Sequence, residues 1–467
     1  MTGYKAILCF SLFLLGFIHF SFGQSVTVTS IQIIGLNRTK ESIVLRELTF
    51  GVGDTVIQYN LGLTLEKNRN NLLNLGLFNE VAINVSEWDT DLDQIQIIVE
   101  VKESWYVYLL PILDLADRNF NVWWNTHHHS FERINIGAQL DYLNFTGHND
   151  KLKAKLQFGY TPKQEIEYRF PYFNQKQSLG LSVSVLHSEN KETSYSTVEN
   201  KDEFLKLEKG KLQDRWRGGI SLQYRPSIYL RHEISASFEH MKMDSAILDY
   251  NLRYFRNGGL VHQELIMHYS FEYDDRDLKI YPSKGIKVIL EADKIGLGKN
   301  DDENLMTSTG SIEWNGQLGK RFQQRLSGIG QYSLSRSQPS YIHYRAAGFG
   351  QKFVRGYELY IVDGLDFVIG KYQLSYSLLQ TKINLGQLIP VQQFRVVPLQ
   401  LFLSLHLETG YVNDPYTGNL NPLANTLLRG GGFGLDFLLY HNFLFQLNLN
   451  TNHLGEWGFF IHNKTSF

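Results

Sequence analysis

The sequence predicts a mainly β fold: an antiparallel transmembrane β-barrel of about 16 strands, preceded by one small α+β domain of βααββ order. Three observations carry this reading. After Trp105 the chain runs in segments of about ten residues whose apolar and polar side chains alternate, separated by polar, charged or glycine-bearing connections. The composition sets 26 Tyr, 30 Phe and 39 Gly against 10 Pro at a slightly negative mean hydropathy, which suits strands of which only alternate residues meet lipid. Beyond the N-terminal leader no stretch approaches the roughly 18 consecutive apolar residues of a helical span.

The leader is the first element. Lys5 precedes the apolar run "AILCFSLFLLGFIHF" and the small residues of "SFGQ". An apolar core of about 15 residues is short for a span of about 20 and reads as a secretory signal peptide over residues 1–23, with cleavage near Gly23 and Gln24 first. Cys9 is the only cysteine and lies inside this segment, too early for a lipoprotein signal. The mature chain is therefore expected to hold no disulfide, thiol nucleophile or thiolate metal site. A formal charge of -2 gives no bulk attraction for nucleic acid, and no such partner is expected.

Residues 25–104 form the next unit. "VTSIQIIGL" alternates as a strand, "TKESIVLREL" and "NLGLTLEKNRNNLLNLG" read as helices, the first opened around Thr39 or Lys40 and the second closed at Gly76. "FNEVAINVSE" and "DQIQIIVEVKE" then form a hairpin about "WDTDLD". A unit of about 80 residues supports one modest core.

From residue 105 to 467 the alternation is explicit. Leu152, Ala154, Leu156 and Phe158 share one face against Lys153, Lys155 and Gln157; Leu181, Val183 and Val185 oppose Ser182 and Ser184. Leu401, Leu403, Leu405 and Leu407 oppose Phe402, Ser404, His406 and Glu408, and Phe443, Phe445, Leu447 and Leu449 oppose Gln446, Asn448 and Asn450. Such strands suit a half-exposed soluble sheet or a barrel with lipid outside and water inside. Aromatics at segment ends (Tyr106, Tyr160, Tyr172, Tyr224, Tyr332, Trp457) favour the barrel, as interfacial girdles. An even strand count suits an antiparallel meander, and closure matters because an open edge in hydrocarbon leaves backbone groups unpaired. Phe459, Ile461 and the terminal Phe467 are expected on the lipid face of the closing strand.

Residues 25–104 resemble a POTRA (polypeptide-transport-associated) domain, through "IQIIGLNRT", Gly53-Asp54, "LLNLGLFNEVAINV" and "IIVEVKE". The remainder resembles the surface-antigen type barrel of the BamA/TamA-like superfamily of outer-membrane protein insertases and two-partner secretion pores. Four stretches carry that likeness: "YLNFTGHND" with Asn144, Phe145 and Gly147; "YRFPYF" with Pro171; "YDDRDLKIYPSKG" with Asp275, Arg276, Asp277, Pro282 and Gly285; and "VRGY", Val354, Arg355, Gly356 and Tyr357. The resemblance implies that the loop at about 335–365 folds into the lumen and that Arg355 reaches an acidic residue on the inner wall. Alternation offers Glu408 and Asp436 as inward carboxylates. "HLETG", residues 406–410, departs from the superfamily's F-x-D-x-G pattern by His406 and Glu408. A guanidinium buried against a carboxylate is a charge-assisted, potentially forked contact that lysine does not reproduce; a solvated Arg355 would contribute almost nothing.

Other constellations read as structural. Of His127, His128 and His129 at most two converge if they lie on a strand, and Asp274, Asp275 and Asp277 lie beside Arg276 and Lys279, so neither a metal nor a cofactor is expected. Residues 189–214 are a charged run read as an extended surface loop. No paired general acid and base, G-x-S-x-G or phosphate loop is present, so no enzymatic activity is expected.

The resemblance implies an outer-membrane factor of a Gram-negative bacterium, its POTRA domain in the periplasm. It would bind unfolded outer-membrane or secreted client polypeptide through that domain and insert or pass it at the barrel, with accessory lipoproteins as further partners. A dedicated two-partner-type secretion pore and a passive porin or structural barrel are the alternatives. The first strand, at about 105–115, contains Pro111, which lacks a backbone donor, and the seam it forms with the last strand is the expected weak place.

Overall fold

A computed structural model describes residues 24–117, 120–297, 301–386, 395–440 and 443–465. The expected signal peptide with Cys9 and the terminal Phe467 lie outside the described residues.

The N-terminal unit is a four-stranded sheet, β1 (Ser25–Ile34), β2 (Thr55–Ile57), β3 (Phe78–Asp89) and β4 (Gln94–Glu103), in the order β2-β1-β4-β3, with α1 (Glu41–Arg46) and α2 (Leu61–Leu73). Alternation in β1 and β4 buries Val26, Val28, Ile95, Ile97 and Val99 against Ile43, Val44 and Leu72 of the helices. Two details depart from expectation. β2 is an additional strand, paired with β1, and three residues are too few for periodicity to reveal. α1 opens at Lys40 without a side-chain cap, because the Thr39 hydroxyl is engaged by Tyr106 and Asn144, both at 2.9 Å.

The barrel strands are β5 (Val107–Leu115), β6 (Ile134–Leu143), β7 (Lys151–Gly159), β8 (Lys163–Phe170) and β9 (Leu179–Asn190). After the small hairpin β10 (Glu192–Val198) and β11 (Lys201–Lys206) come β12 (Gln213–Tyr224), β13 (Leu230–Met243), β14 (Val261–Asp274), β15 (Gly285–Ile295), β16 (Leu305–Leu318) and β17 (Phe322–Ser333). The in-folding segment carries β18 (Arg345–Ala347) and β19 (Val362–Asp363); then β20 (Asp366–Asn384), β21 (Val396–Asn413), β22 (Leu428–Leu439), β23 (Phe443–Asn452) and β24 (Trp457–Thr465) complete the wall. β5 to β9, β12 to β17 and β20 to β24 form one 16-stranded antiparallel sheet of neighbouring strands.

Its burial is inverted relative to a soluble protein. On β21, Leu403 and Leu407 are 47% and 56% exposed, whereas Phe402, Ser404, His406 and Glu408 are buried. Likewise Val183, Val185, Leu449 and Phe459 face outward while Asn448 and Asn450 are buried. Apolar atoms outside and polar atoms inside are what lipid outside and a polar lumen demand.

The aromatic girdle is only partly as expected. Tyr224, Tyr332 and Trp457 are exposed, but Tyr106 and Tyr172 turn inward, because the core of the N-terminal domain continues into the barrel and takes both rings, with Leu143. Tyr160 lies over the Arg133 guanidinium at 4.6 Å. The charged run at 189–214 is not a plain loop: β10 and β11 pair within it. Leu205 and Leu212 join Met241, Met243, Ile247, Tyr254 and Phe255 in a second core at the end of the barrel remote from the N-terminal domain.

Among the described residues no backbone ladder joins β5 to β24, the two ends of the sheet order. The edges nevertheless meet at one seam: Asp114 and Leu115 line the same cavity as Ile461 to Lys464, and Asn121 Nδ2 donates to the Phe459 carbonyl at 2.5 Å.

Candidate functional site

Residues 334–365 leave β17 and return at β20 after folding into the lumen, where Val354 and Tyr357 pack with Ala346, Ala347, Phe367, Ile369, Val412 and Leu428. The strands behind the loop are glycine-rich for a steric reason. A Cβ at Gly430 would stand 1.8 Å from the Arg355 carbonyl oxygen, and one at Gly356, where φ is +89°, 2.5 Å from the Thr451 carbonyl oxygen. Loop backbone therefore lies directly on β22 and β23.

Arg355 is the pin of this contact. Its backbone N–H donates to Glu408 Oε2 at 2.9 Å and its Nη1 to Glu408 Oε1 at 3.3 Å. Nη1 also donates to His406 Nδ1. Since a guanidinium only donates, His406 Nδ1 is the acceptor, and the ring carries its proton on Nε2, 2.9 Å from Ser404 Oγ. The expected fork onto one carboxylate is thus replaced by a single Nη1 contact to the carboxylate and a second to an imidazole. Lys371 Nζ lies 3.5 Å from Glu408 Oε2, so the carboxylate is shared by two cations. The Glu408 side chain is buried, and that of Arg355 is 12% exposed. Tyr357 donates from its hydroxyl to the Arg429 carbonyl at 3.2 Å, and Glu358 accepts from Gly356 N and Asn450 Nδ2, each at 2.7 Å.

Asp436, the other expected partner, faces inward but does not pair with Arg355. It accepts from Tyr281 at 2.8 Å, Gln373 at 3.2 Å and Gln446 at 2.8 Å. In register it stands opposite Phe402, whereas Glu408 stands opposite Gly430. Six residues along a strand are about 20 Å, so Asp436 sits a storey below, towards the N-terminal domain.

That lower storey is organised by the turn 275–284. Arg276 donates to Asp274 from Nε and Nη2, at 2.7 and 2.8 Å, and from Nη1 to Glu313 at 2.9 Å. Asp275 accepts from Ile286 N at 2.6 Å, and Asp277 accepts from the backbone of Leu278 and Ser283, both at 2.9 Å. The tight return brings Gly285 so close that a Cβ would meet Arg276 Cα at 2.6 Å. Pro282 is buried beside Tyr281, whose ring stacks on Phe402 at 4.5 Å. These motif residues build a structural turn that projects Tyr281 into the lumen.

Asn144, Gly147 and Pro171 belong to a third assembly, a clasp between the N-terminal domain and the barrel. Asn144 is buried; its Nδ2 donates to Thr39, its carbonyl accepts from Arg38 Nε at 2.8 Å, and its Oδ1 accepts from Asn149 N at 2.8 Å. Gly147 presents its carbonyl to Lys40 N at 3.0 Å. Phe145 stacks edge-on against Tyr142 at 4.9 Å. Pro171 is buried next to Tyr172, whose hydroxyl accepts from Arg46 and Arg225, at 3.0 and 2.8 Å.

The strongest bond in the clasp escaped sequence reasoning. Arg225 forks onto Glu47, Nη1 to Oε1 at 2.5 Å and Nη2 to Oε2 at 2.8 Å. Burial alone would raise the Glu47 carboxyl, but Arg225 and then Arg46 outweigh it and hold the group below the usual carboxylate range. Asn74 completes the attachment, Nδ2 donating to the Asp277 carbonyl at 3.1 Å. The clasp thus uses the turns 144–150, 171–178, 225–229 and 275–284.

Loop lock, lower turn and seam enclose a polar lumen cavity of about 520 Å³. Arg355, Lys371, Glu408, Glu313 and Arg325 line it, with Ile280 of the lower turn, and its side wall is Asp114 of β5 with His462 and Lys464 of β24. Phe459, on that strand, faces outward. Among the described residues the arrangement has no nucleophile aligned with a base; chemically it offers paired charges beside two strand edges that share no described ladder.

Comparison with known proteins agrees with this geometry. Residues 26–104 match the POTRA family, described as a surface antigen variable number repeat, and residues 144–370 match the Omp85 superfamily domain. No curated protein matches the chain. Among solved structures, BamA from Haemophilus ducreyi lacking POTRA domains 1–3 is similar over 94% of this chain and 84% of that chain, at 12% identity and a TM-score of 0.53. CdiB from Acinetobacter baumannii is similar over 94% and 74%, at 14% identity and 0.52, and CdiB from Escherichia coli over 96% and 90%, at 11% identity and 0.50. At such identities these likenesses speak for the fold. With the two family matches, the inverted barrel and the in-folded V-R-G-Y loop in view, the chain belongs to the Omp85 superfamily and carries a POTRA domain.

Proposed function

We propose that the chain is an outer-membrane assembly or translocation factor: its POTRA domain, on the periplasmic side, captures extended client polypeptide by strand addition, and the seam between β5 and β24 is where a client strand pairs or passes. The observation that carries this is the seam itself. In a 16-stranded sheet whose other neighbours are all laddered, β5 and β24 are the pair without a described ladder. Edges that leave backbone groups unpaired are templates for another strand. A polar cavity opens directly behind them, and Pro111 withholds one donor from β5.

The capture step is supported by the POTRA sheet order, which leaves β3 as its long edge. Arg69 Nε covers the Val81 carbonyl at 3.1 Å, but the stretch from Ser86 to Asp89 is exposed. The passive-porin alternative is disfavoured by the lumen, occupied from one side by the pinned loop and from the other by the Tyr281 turn.

The test exploits a mature chain free of native cysteine. Cysteine pairs stepped along 111–115 and 459–463 are bridged with a bifunctional reagent in cells depleted of the native chain. An insertase predicts that bridging lowers the levels of other barrel proteins. A dedicated secretion pore predicts instead the loss of one secreted polypeptide with barrel levels unchanged. A bridged chain that supports every barrel and every secreted protein at the unbridged level rejects both.

A further inference from the structure

At the end of the barrel remote from the POTRA domain, two segments bring three ligand atoms to one point. His262 and Glu264 stand two residues apart at the start of β14, so their side chains leave the same face of the strand, and they are 0% and 1% exposed. His343 comes from the 3-10 turn Tyr341–His343 of the in-folding segment. His262 Nε2 and His343 Nε2 both address the same oxygen, Glu264 Oε2, at 2.8 and 2.9 Å. One ligand atom from each residue lies within 4.8 Å of the other two.

We propose that His262, Glu264 and His343 form a binding site for a borderline-soft divalent transition metal, Zn²⁺ foremost, and that the ion ties the in-folding segment to the barrel wall. Two imidazoles and a carboxylate are a transition-metal donor set, whereas Ca²⁺ and Mg²⁺ select all-oxygen shells. Around a tetrahedral Zn²⁺ with bonds near 2.0–2.1 Å, neighbouring ligand atoms are about 3.4 Å apart. The present separations therefore need to open by roughly half an ångström, which side-chain rotation supplies.

The proton arrangement is also provided for. Without an ion, each Nε2–H donates to Glu264; to ligate, each ring must carry its proton on Nδ1. Behind His262 a carboxylate waits for it: Asp302 Oδ2 lies 3.6 Å from Nδ1, which is buried without a hydrogen-bond partner. Asp302 is itself held by Gln263 N at 2.9 Å and Asn257 Nδ2 at 2.5 Å. A carboxylate behind a ligating imidazole fixes the tautomer and raises its basicity. Phe255 stacks on the His262 ring at 4.8 Å and 14°.

Charge and access agree. Among the described residues, Glu264, Asp302 and the buried Glu303 are met by Arg256, 3.4 Å from Glu303. Arg215 and Arg345, on the wall of the adjoining cavity, are paired with Glu239 and Asp202 at 2.7 and 3.0 Å. That cavity, of about 340 Å³, is lined by Glu264 and His343, and offers both a route in and room for a fourth ligand such as water. No metal is expected from the sequence, because its one visible histidine cluster is His127 to His129; the ligands here are an H-x-E pair on a strand and a histidine from a distant loop.

The test uses the full mature chain, purified in detergent through a tag without histidine, stripped with chelator, reloaded with Zn²⁺ and desalted. One zinc per chain is expected, and Co²⁺ in its place should give the visible absorption of a four-coordinate N/O site. His343→Gln keeps a hydrogen-bond donor for Glu264 but removes the imidazole. It should lower zinc affinity at least tenfold and abolish the Co²⁺ bands, with the folded barrel's electrophoretic mobility unchanged. His187→Ala, which alters the other candidate grouping of His187, Glu189 and Asp214, should change neither. A cysteine at Ala347 should be labelled about tenfold more slowly with Zn²⁺ than without it in the wild-type background, and at one rate in His343→Gln. Wild-type protein that retains no zinc overturns the proposal, even if His343→Gln fails to fold. Retention lost in His187→Ala but kept in His343→Gln overturns it as well.

Discussion

At the scale of single residues, the loop lock turns on how two cations share one carboxylate. Truncating Arg355 leaves Glu408 with Lys371 at 3.5 Å, so its charge is not wholly stranded, and the cost should fall at the lower end of the roughly 3–5 kcal/mol typical of a broken buried pair. Arg355→Ala and Glu408→Gln are each expected to lower the temperature at which the barrel unfolds. Their double mutant should recover about 1–2 kcal/mol of the summed loss; strict additivity would mean that the two side chains do not interact. Lys at 355 should behave more like Ala than like Arg, because the lysine side chain ends short of the place where Nη1 stands between Glu408 and His406. Glu408 was legible in the sequence because alternation against a leucine face gives the inward direction. Asp436 was misassigned for the same reason: alternation reports which face a side chain takes and says nothing of its height along the barrel. His406 as co-acceptor had only a faint signal, its place two residues before Glu408 on the same face.

At the scale of elements, the long strands were legible and the short or ion-rich ones were not. β2 has three residues, and β10 and β11 hide within a run of lysines and glutamates whose pairing depends on Leu205 and Leu212 meeting a core supplied by β13 and the segment after it. The POTRA edge β3 shows what an element can do once its neighbours are known. Its alternation marks it as a strand, but only the order β2-β1-β4-β3 shows that no described strand pairs with its outer side. Ser86 is exposed at a register irregularity between Val85 and Glu87, where proline should disturb the pairing with β4 little. Ser86→Pro is therefore expected to leave the POTRA core folded, costing about 1 kcal/mol or less, while weakening capture of an extended peptide severalfold by removing an edge donor. Peptide crosslinking to the isolated edge position and thermal unfolding of the full chain read the two effects separately. Undiminished crosslinking would move capture to another surface.

At the scale of the whole molecule, the barrel was readable because lipid reverses the usual burial rule for every strand at once, so that a weak pattern is repeated many times. How the POTRA domain sits against the barrel was not readable, since Glu47 and Arg225 are 178 residues apart and neither lies in a motif. This pair is expected to govern whether the two parts move as one. Glu47 is held below the ordinary carboxylate range in the clasp. Its contribution is therefore complete at pH values above the free carboxyl value of about 4.3 and is lost as the pH falls through the lower, clasped value. Between neutral pH and about 5 the docking should be constant; below that the POTRA domain should begin to swing away. Pulsed spin-label distances between the POTRA domain and the turn at 319–321 should give one narrow distribution at pH 7 that broadens in acid. Glu47→Gln should broaden it at pH 7 and remove most of the acid dependence, because the amide leaves Arg225 one neutral acceptor in place of the charged fork, beside Tyr172 and the Ile228 carbonyl, each at 2.8 Å. A narrow distribution in Glu47→Gln would show that the apolar core shared through Tyr106, Leu143 and Tyr172 suffices for docking, and that Arg225 is neutralised without contributing to it.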